Sequence, residues 1–295
     1  MRPDPKETLL LQRLVQKLAS IGQHVYSRAE LEYLFDELRS EWTLPKGLTR
    51  DKFRDLVVES GTLKEIRLTA TYPFKSKRYG WGRFSDYELA LSLRPDSYLS
   101  HGTAAYLHGL ADRRPNAIYV NKEQSPKRQD GLLDQAGLNR AFSSRQRLSN
   151  YIVTHGHTKI VLLCGKDSGR LGVKKKTTGS RNEPLEFTDL ERTLIDITVR
   201  PAYAGGIDAV LRSYIRARRK VDIERLAETL ADLEYLYPYH QAVGFLLQRA
   251  GCTPEELTVL REAGLEFDFF LAHGMKKTVY DPQWQIHYPM DFTSS

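Results

Sequence analysis

The stretch from residue 188 to residue 206, TDLERTLIDITVRPAYAGG, restricts most strongly what this chain can fold into. At about 100° per residue, a helix over this stretch has apolar flanks on both sides of one charged stripe. The stripe alternates in sign at steps of three or four residues and consists of Asp189, Arg192, Asp196 and Arg200. Opposite charges meet at this spacing, and a half-buried stripe tolerates paired charges but not lone ones. The pattern predicts a helix over 189–199 whose charges neutralise one another.

The same pattern bears on catalysis. Catalytic carboxylates need oxygens that are free to bind a metal or to keep a raised pKa, and both aspartates of the stripe have an arginine within reach. Glu191 falls off the stripe, three residues after Thr188, which fits a capping box. Arg200-Pro201 should end the helix, because the residue before proline avoids helical geometry, and the two glycines at the end of the stretch permit a tight turn. We therefore interpret the stretch as structural, with no catalytic residue, and predict that the chain is not an enzyme.

The N-terminal part has the pattern of three helices followed by a basic hairpin. Apolar spacing predicts helices over 7–21, 28–38 and 50–60, the last two capped by Ser27 and Thr49. Two strand patterns, LKEIRLT and KRYGWGRF, can pair with each other across a turn. This order of elements is that of a winged helix-turn-helix, in which the third helix enters the major groove of DNA.

The predicted fold class is α+β, with the winged helix-turn-helix over residues 1–84 and a second domain over 85–295. That second domain should have mixed strands over 85–187, mostly helices over 188–264 and terminal strands over 265–289. No apolar run approaches the length of a membrane span, and no signal segment precedes the first helix pattern. Two cysteines lie far apart without metal-site spacing. We therefore expect a cytoplasmic protein with free thiols and no membrane partner.

Charge is unevenly distributed along the chain. Lys and Arg outnumber Asp and Glu by 16 to 11 over residues 1–84 and by 15 to 4 over 113–181, whereas residues 182–295 carry 12 against 18. Such segregation suggests a polyanion partner for the basic part. From Lys64 to Arg83 there are six basic residues and one acid, with aromatic residues between them. This composition is typical of a hairpin that contacts phosphates.

We predict that the third helix and the hairpin contact duplex DNA, with Lys52 and Arg54 approaching base edges and the hairpin cations holding phosphates. The predicted DNA-binding residues are Thr49, Arg50, Lys52, Arg54, Lys75, Lys77, Arg78, Tyr79 and Arg83. The pattern leaves two simpler alternatives open. The helix can be an ordinary amphipathic helix with a solvated face, and Tyr79 can equally be a core residue of the sheet.

Other motifs indicate no cofactor. His155 and His157 would face the same side of a strand, but nothing in the spacing of the remaining histidines and cysteines requires a third metal ligand. GKDSG at 165–169 is glycine-rich after a strand, but it lacks the GK[ST] end of a phosphate-binding loop. We therefore predict neither a metal nor a cofactor.

The charged stretch also resembles the ERTLID…RP.Y.GG signature of the AbiEi-type antitoxins, which are transcriptional regulators of bacterial phage-defence operons. Three other stretches agree with that family in order: YLSHGTAAYLHGL at 98–110, NAIYVN at 116–121 and VYDPQWQIHYP at 279–289. The resemblance covers roughly residues 85–289, and the family typically adds an N-terminal winged helix. The motif residues that the resemblance assigns are Ser100, His101, His108, Thr188, Asp189, Glu191, Arg192, Asp196, Arg200, Pro201, Tyr203, Gly205 and Gly206.

The resemblance implies a repressor that binds double-stranded promoter DNA of its own operon, at inverted repeats. It also implies an antitoxin of a type IV toxin–antitoxin system, whose C-terminal region opposes a co-encoded nucleotidyltransferase-like toxin. Two alternatives come from other classes. One is an enzyme that processes nucleic acid, motivated by a basic surface with Asp and Glu motifs. The other is an RNA-binding or protein-interaction module that uses the basic segment 113–181.

Overall fold

The structure of the chain is a computed structural model, and it describes residues 5–42, 44, 47–73, 77–126, 133–178 and 183–292. The helices are α1 (Pro5–Ile21), α2 (Arg28–Glu41), α3 (Arg50–Glu59), α4 (Asp86–Ser92), α5 (His101–Leu107), α6 (Gln135–Ser143), α7 (Leu190–Val199), α8 (Ile207–Ala217), α9 (Ile223–Asp232), α10 (Tyr239–Arg249) and α11 (Thr258–Arg261), with a 3₁₀ turn at Pro201–Ala204. The strands are β1 (Val25–Ser27), β2 (Lys64–Ile66), β3 (Thr69–Ala70), β4 (Arg78–Gly80), β5 (Tyr98–Leu99), β6 (Ile118–Glu123), β7 (Ile152–His155), β8 (Thr158–Gly165), β9 (Val173–Thr178), β10 (Glu183–Thr188), β11 (Phe269–Phe270), β12 (Thr278–Asp281) and β13 (Ile286–Pro289). The chain is a mixture of helices and strands, so the predicted α+β class is confirmed.

The chain forms two compact units. The first unit comprises Met1–Pro95 together with Tyr151–Ile160, and the second comprises Asp96–Asn150 and Val161–Ser295. The first unit thus includes α4 and β7, which the sequence pattern had placed in the second domain. The helix α4 has a clear local signal that the prediction overlooked, because Ser85 and Glu88 form a capping box.

In the first unit, three helices pack around one apolar core. The buried side chains are Leu10, Leu14 and Leu18 of α1, Leu31, Leu34, Phe35 and Leu38 of α2, and Phe53 and Val57 of α3. Their spacing of three or four residues puts each set on one helix face. Ser27 caps α2 in a capping box with Glu30, and the Thr49 side chain accepts a hydrogen bond from the Lys52 N–H at the start of α3. The three N-terminal helices and their two caps are therefore confirmed.

The first unit also holds a three-stranded antiparallel sheet in the order β1-β4-β2. β4 is the central strand, with Val25 and Lys64 both opposite Gly80. The two strands of the predicted hairpin, β2 and β4, therefore pair with each other. Between them the chain leaves this sheet, since β3 pairs antiparallel with β7 instead. Residues 74–76 of this connection lie outside the described part of the chain.

The strands of the second unit follow the order β8-β6-β5-β10-β9, with β8 belonging to this unit from Val161 onward. β5 is antiparallel to β6 and parallel to β10, and β9 is antiparallel to β10. β6 and β8 correspond to predicted strands. The parallel β5–β10 contact matters for the site, because it aligns the start of α5 and the start of α7, which directly follow those two strands.

Most helices of the second unit share one large apolar core. Among its fully buried members are Leu194 and Ile197 of α7, Tyr214 of α8, Leu226 of α9 and Val243 of α10. The predicted helices over 207–219, 222–235 and 239–249 correspond to α8, α9 and α10. The helix predicted over 254–263 is shorter than expected, because residues 254–257 form turns before α11.

The terminal strands form a separate sheet in the order β11-β13-β12, within the range predicted for them. Trp284, between β12 and β13, is fully buried against α10. A Cβ at Gly244 of α10 would lie 2.2 Å from the Trp284 ring, so this position requires glycine. Within the described ranges, no helix has the length and hydropathy that crossing a bilayer demands.

Candidate functional site

The outward face of α3 carries charges that are already paired with one another. The Arg50 guanidinium contacts the Asp36 carboxylate of α2, with an Nη2–Oδ2 distance of 2.5 Å. The Arg54 guanidinium contacts two carboxylates of its own helix, Asp51 at 2.6 Å and Asp55 at 2.7 Å. The helix therefore presents a nearly neutral face rather than a purely basic one.

Lys52 differs from the two arginines of α3. Its side chain is exposed, and among the described residues its ammonium has only a long hydrogen bond of 3.4 Å, to the Gly47 carbonyl. Thr49, Arg50 and Lys52 lie together at the N-terminal end of α3, where the helix dipole favours an anion. This end of α3, rather than its middle, is the part best suited to meet a phosphate backbone.

The two paired arginines of α3 differ in how firmly their carboxylate partners hold them. Arg50 and Asp36 are 54% and 46% exposed, and exposed ion pairs contribute about 0–1 kcal/mol to stability. Because water and salt screen such pairs, a phosphate can replace Asp36 as the partner of Arg50 at little cost. Arg54 is more enclosed and has two partners, so exchange at Arg54 costs more.

The basic hairpin is only partly as predicted. Lys77 is exposed and pairs with Glu65 across the β2–β4 contact, with an Nζ–Oε2 distance of 2.9 Å. Arg83 is exposed and has no ion pair within the part of the chain that the structure describes. Lys75 lies outside the described residues.

Two predicted DNA contacts are wrong. Arg78 is buried, with 3% of its surface exposed, and its guanidinium donates to the Ser92 carbonyl at 2.6 and 2.9 Å and to the Leu93 carbonyl at 3.0 Å. Burial lowers the pKa of Arg78. Tyr79 is 2% exposed and belongs to the apolar core of the first unit. Both residues stabilise the fold and present nothing to a duplex.

Two other cations of the hairpin are exposed. Lys64 on β2 and Arg67 just after it are exposed, and among the described residues neither has an ion-pair partner. Their neighbours Leu63 and Ile66 are buried. The sequence of residues 63–67, LKEIR, does not alternate strictly between apolar and basic residues, so it gave no clear signal that separates these exposed cations from Arg78.

In the second unit, α7 begins with a buried carboxylate that has several partners. Asp189 is the N-cap of α7, and its side chain accepts from the Arg192 N–H at 3.1 Å. The same carboxylate contacts the guanidinium of Arg225 on α9. Glu191 contacts Arg225 as well, at 3.6 Å, and accepts from the Asp222 N–H at 3.3 Å.

The centre of α7 holds a buried ion pair. Arg192 Nε and Asp196 Oδ1 are 2.8 Å apart, and the two side chains are only 4% and 6% exposed. The guanidinium also donates to Ser168 Oγ at 3.1 Å and to the Leu171 carbonyl at 2.8 Å. Burial by itself would lower the pKa of Arg192, but the Asp196 carboxylate, together with Tyr98 and Tyr235, raises that pKa above its ordinary value. The pair is therefore a charged structural contact with its hydrogen bonds satisfied.

Two details of the predicted stripe are wrong. Arg200 is exposed, and its guanidinium forms no ion pair with the Asp196 carboxylate; it donates to the Arg147 carbonyl at 3.3 Å. Thr188 is not the helix cap, because its hydroxyl lies 2.8 Å from that of Thr193 and the capping position is taken by the next residue. The helix boundary itself is confirmed, since α7 ends at Val199 and Arg200 is its C-cap.

The other motif residues of the second unit pack against the ends of α5 and α7. Ser100 Oγ and His101 Nδ1 share a hydrogen bond of 2.8 Å, so Ser100 stands at the N-cap position of α5 without a side-chain capping bond. The His108 Nε2–H donates to the Thr188 carbonyl at 2.8 Å. Burial lowers the pKa of His101 from 6.5 to about 4, so this histidine is neutral at pH 7.

The chain turns sharply after α7. Pro201 begins the 3₁₀ turn, and Gly205 and Gly206 follow with φ angles of 91° and 93°, which glycine adopts without strain. The ring of Tyr203 meets the edge of His101 at a centroid distance of 5.4 Å. Two of the four resembling stretches, 98–110 and 188–206, are thus in direct contact.

The structure brings no metal-ligand cluster together among the described residues. His155 is next to Asp86, with Nδ1 and Oδ1 3.4 Å apart. Both cysteines are free thiols, Cys164 exposed and Cys252 buried.

One solved structure is similar to almost the whole chain. It is the crystal structure of the RV2827C protein from Mycobacterium tuberculosis, with a TM-score of 0.55 and 18% sequence identity over 98% of this chain and 93% of that one. No family model and no curated protein matches the sequence. At this level of identity the likeness shows a shared fold and nothing about activity.

Proposed function

We propose that the chain is a DNA-binding transcriptional repressor and antitoxin of a type IV toxin–antitoxin operon, with a winged helix-turn-helix as its first unit. The observation that carries the proposal is the order α1-β1-α2-α3-β2-β4 with the sheet order β1-β4-β2. In that arrangement α3 is the element that enters a major groove, and the β2–β4 pair is the wing beside it.

The docking that we propose differs from the one the sequence suggested. The N-terminal end of α3, with Thr49, Arg50 and Lys52, approaches the base edges. Exposed cations on and around the hairpin hold the phosphates: Lys64, Arg67, Lys77 and Arg83. Arg50 and Lys77 exchange their surface carboxylates for phosphates on binding.

Fluorescence anisotropy with duplexes from the chain's own promoter tests this docking. Affinity should fall steeply with added salt, with a slope of about −0.9 in log–log form for each phosphate neutralised. Replacing Lys64, Arg67 and Arg83 by glutamine should make the slope shallower by about 3, because three phosphate contacts are lost.

A matched control removes three exposed cations from the second unit: Arg219, Lys276 and Lys277, each replaced by glutamine. The slope should then stay close to that of the unmodified chain. If both triple variants change the slope equally, binding is a general charge effect and the hairpin assignment is wrong.

The antitoxin part of the proposal rests on the resemblance of the second unit and names a co-encoded nucleotidyltransferase-like toxin as the functional partner. We place the antitoxin activity in the cytoplasm, where the promoter is. Co-expression tests it: the adjacent reading frame alone should arrest growth, and the full chain should relieve the arrest. Arrest that persists with the full chain present would contradict this part and leave the DNA-binding part standing.

The nucleic-acid-processing alternative has less support. The carboxylates of α7 that motivated it are buried and engaged, Asp189 by Arg225 and Asp196 by Arg192. A metal-dependent nuclease needs carboxylate oxygens that are open to a cation. This pairing favours a structural role for the motif.

A further inference from the structure

A cavity of about 430 Å³ lies in the second unit, between α5, the 3₁₀ turn, α8 and the segment 111–119. Its volume is within the range of small-molecule sites, roughly 300–1,000 Å³. Three of the resembling stretches supply its floor, through Gly102 of α5, Tyr119 of β6, and Tyr203 and Gly205 after α7. Neither the DNA-binding proposal nor the stretch's structural role accounts for this cavity.

The floor of the cavity is closely packed. A Cβ at Gly102 would lie 2.5 Å from the Tyr203 carbonyl oxygen, so only glycine allows this approach of α5 to the 3₁₀ turn. The rings of Tyr119 and Tyr203 lie side by side, with centroids 5.3 Å apart. The Tyr119 hydroxyl has no hydrogen-bond partner among the described residues, and burial raises the pKa of Tyr119.

The rim of the cavity is strongly basic. It carries Arg113, Arg212 and Arg216 against a single carboxylate, Asp112. Arg216 contacts that carboxylate at 2.5 Å, and its hydrogen bond lowers the pKa of Asp112, with weaker contributions from the charges of Arg212 and Arg113. Arg113 and Arg212 are exposed, and within the described ranges neither has an ion-pair partner.

This combination restricts the ligand. Two unpaired guanidinium groups suit a phosphate, which accepts paired N–H donors from arginine. An aromatic wall of two tyrosines suits a planar ring that stacks or packs edge-on. A purely apolar ligand would not need the arginines, and inorganic phosphate would not fill a cavity of this size.

We propose that this cavity binds a nucleoside monophosphate group, with the phosphate on Arg113 and Arg212 and the base against Tyr119. The group is either a free nucleotide or the 5′-phosphorylated end of a strand, since both present the same chemistry. The proposal does not depend on DNA binding by the first unit.

Isothermal titration calorimetry of the full chain tests the proposal with five probes: the four ribonucleoside 5′-monophosphates and, as reference, inorganic phosphate. At least one nucleotide should bind more tightly than inorganic phosphate by about tenfold or more. Adenosine, guanosine, cytidine and uridine without phosphate should show no measurable heat, because the arginines then have no anion to bind.

Variants locate the binding. Arg113→Gln with Arg212→Gln should weaken nucleotide binding at least about tenfold. Arg219→Gln with Lys276→Gln, a matched loss of two exposed cations outside the cavity, should not change it. Tyr119→Leu should weaken nucleotide binding more than phosphate binding, because only the base contacts the ring.

A short 5′-phosphorylated oligonucleotide distinguishes the two sources. Tighter binding of the oligonucleotide than of the free nucleotide, lost when the 5′-phosphate is removed, assigns the cavity to a strand end. Equal or weaker binding assigns it to the free nucleotide. Absence of binding by all four nucleotides, or binding that the double arginine variant leaves unchanged, would overturn the proposal. Neither of these two outcomes would bear on the proposal that the first unit binds promoter DNA.

Discussion

Replacing Asp196 by asparagine removes one charge from the buried pair of α7 and keeps the shape of the side chain. Removing one partner of a buried ion pair costs about 3–5 kcal/mol, because the other charge is left uncompensated. Arg192 would still donate to Ser168 and Leu171, and asparagine still accepts a hydrogen bond. We therefore expect the lower end of the range, a decrease of about 3 kcal/mol in the free energy of unfolding.

Urea denaturation measures this decrease. Trp284 is fully buried in the second unit, and the other two tryptophans of the sequence are Trp42 and Trp81 in the first. In a background where those two are phenylalanine, fluorescence follows the unit that contains Asp196. With a slope of about 3 kcal/mol per molar urea, the midpoint should fall by about 1 M.

Asp112→Asn is the matched control, since it makes the same chemical change in an exposed pair of the same unit. Asp112 and Arg216 are 71% and 35% exposed, and such a pair is worth at most about 1 kcal/mol. Combining Asp196→Leu with Arg192→Met should recover much of the loss, because no lone charge remains buried. If Asp196→Asn lowers the midpoint no more than Asp112→Asn, the reasoning from burial is refuted.

Two further predictions concern buried groups of the second unit. Because the pKa of His101 is about 4 in the folded chain and about 6.5 when unfolded, the stability it contributes is complete above pH 6.5 and is lost as the pH falls toward 4. Urea titrations at several pH values should show the unmodified chain losing roughly 3 kcal/mol more over that window than His101→Gln; parallel curves would contradict this. Gly244→Ala should destabilise the chain by about 1–3 kcal/mol, since the added methyl overlaps the Trp284 ring; an unchanged melting temperature would show that the ring moves aside freely.

The parts of the fold that depend on neighbours in sequence were predictable. The apolar spacing of Leu10, Leu14 and Leu18 and the capping box of Ser27 with Glu30 are local patterns, and both appear in the structure as expected. The end of α7 before Pro201 is local as well. These features require no knowledge of what the helices pack against.

The errors come from contacts between distant residues. The charge stripe of α7 predicted that Arg200 would pair with Asp196, but Arg225 joins the network from 36 residues beyond Asp189 and Arg200 turns outward. The sequence pattern predicted that Arg78 is an exposed cation of the wing. Its burial could not be predicted, because the carbonyls that accept from its guanidinium lie 14 and 15 residues away. A charge pattern gives the sign of a surface, but tertiary contacts decide which of its charges reach solvent.

The proposed nucleotide cavity is lined by two kinds of residue. Gly102 and Tyr203 belong to the resembling stretches and shape the floor, whereas Arg113 and Arg212 lie outside those stretches and supply the charge. A methyl at Gly102 would meet a backbone carbonyl and so disturb the packing of α5. The exposed arginines can change without disturbing any packed contact. Substitution at Gly102 should therefore change the shape of the cavity, whereas substitution at Arg113 or Arg212 should change its proposed affinity for phosphate and leave the shape intact.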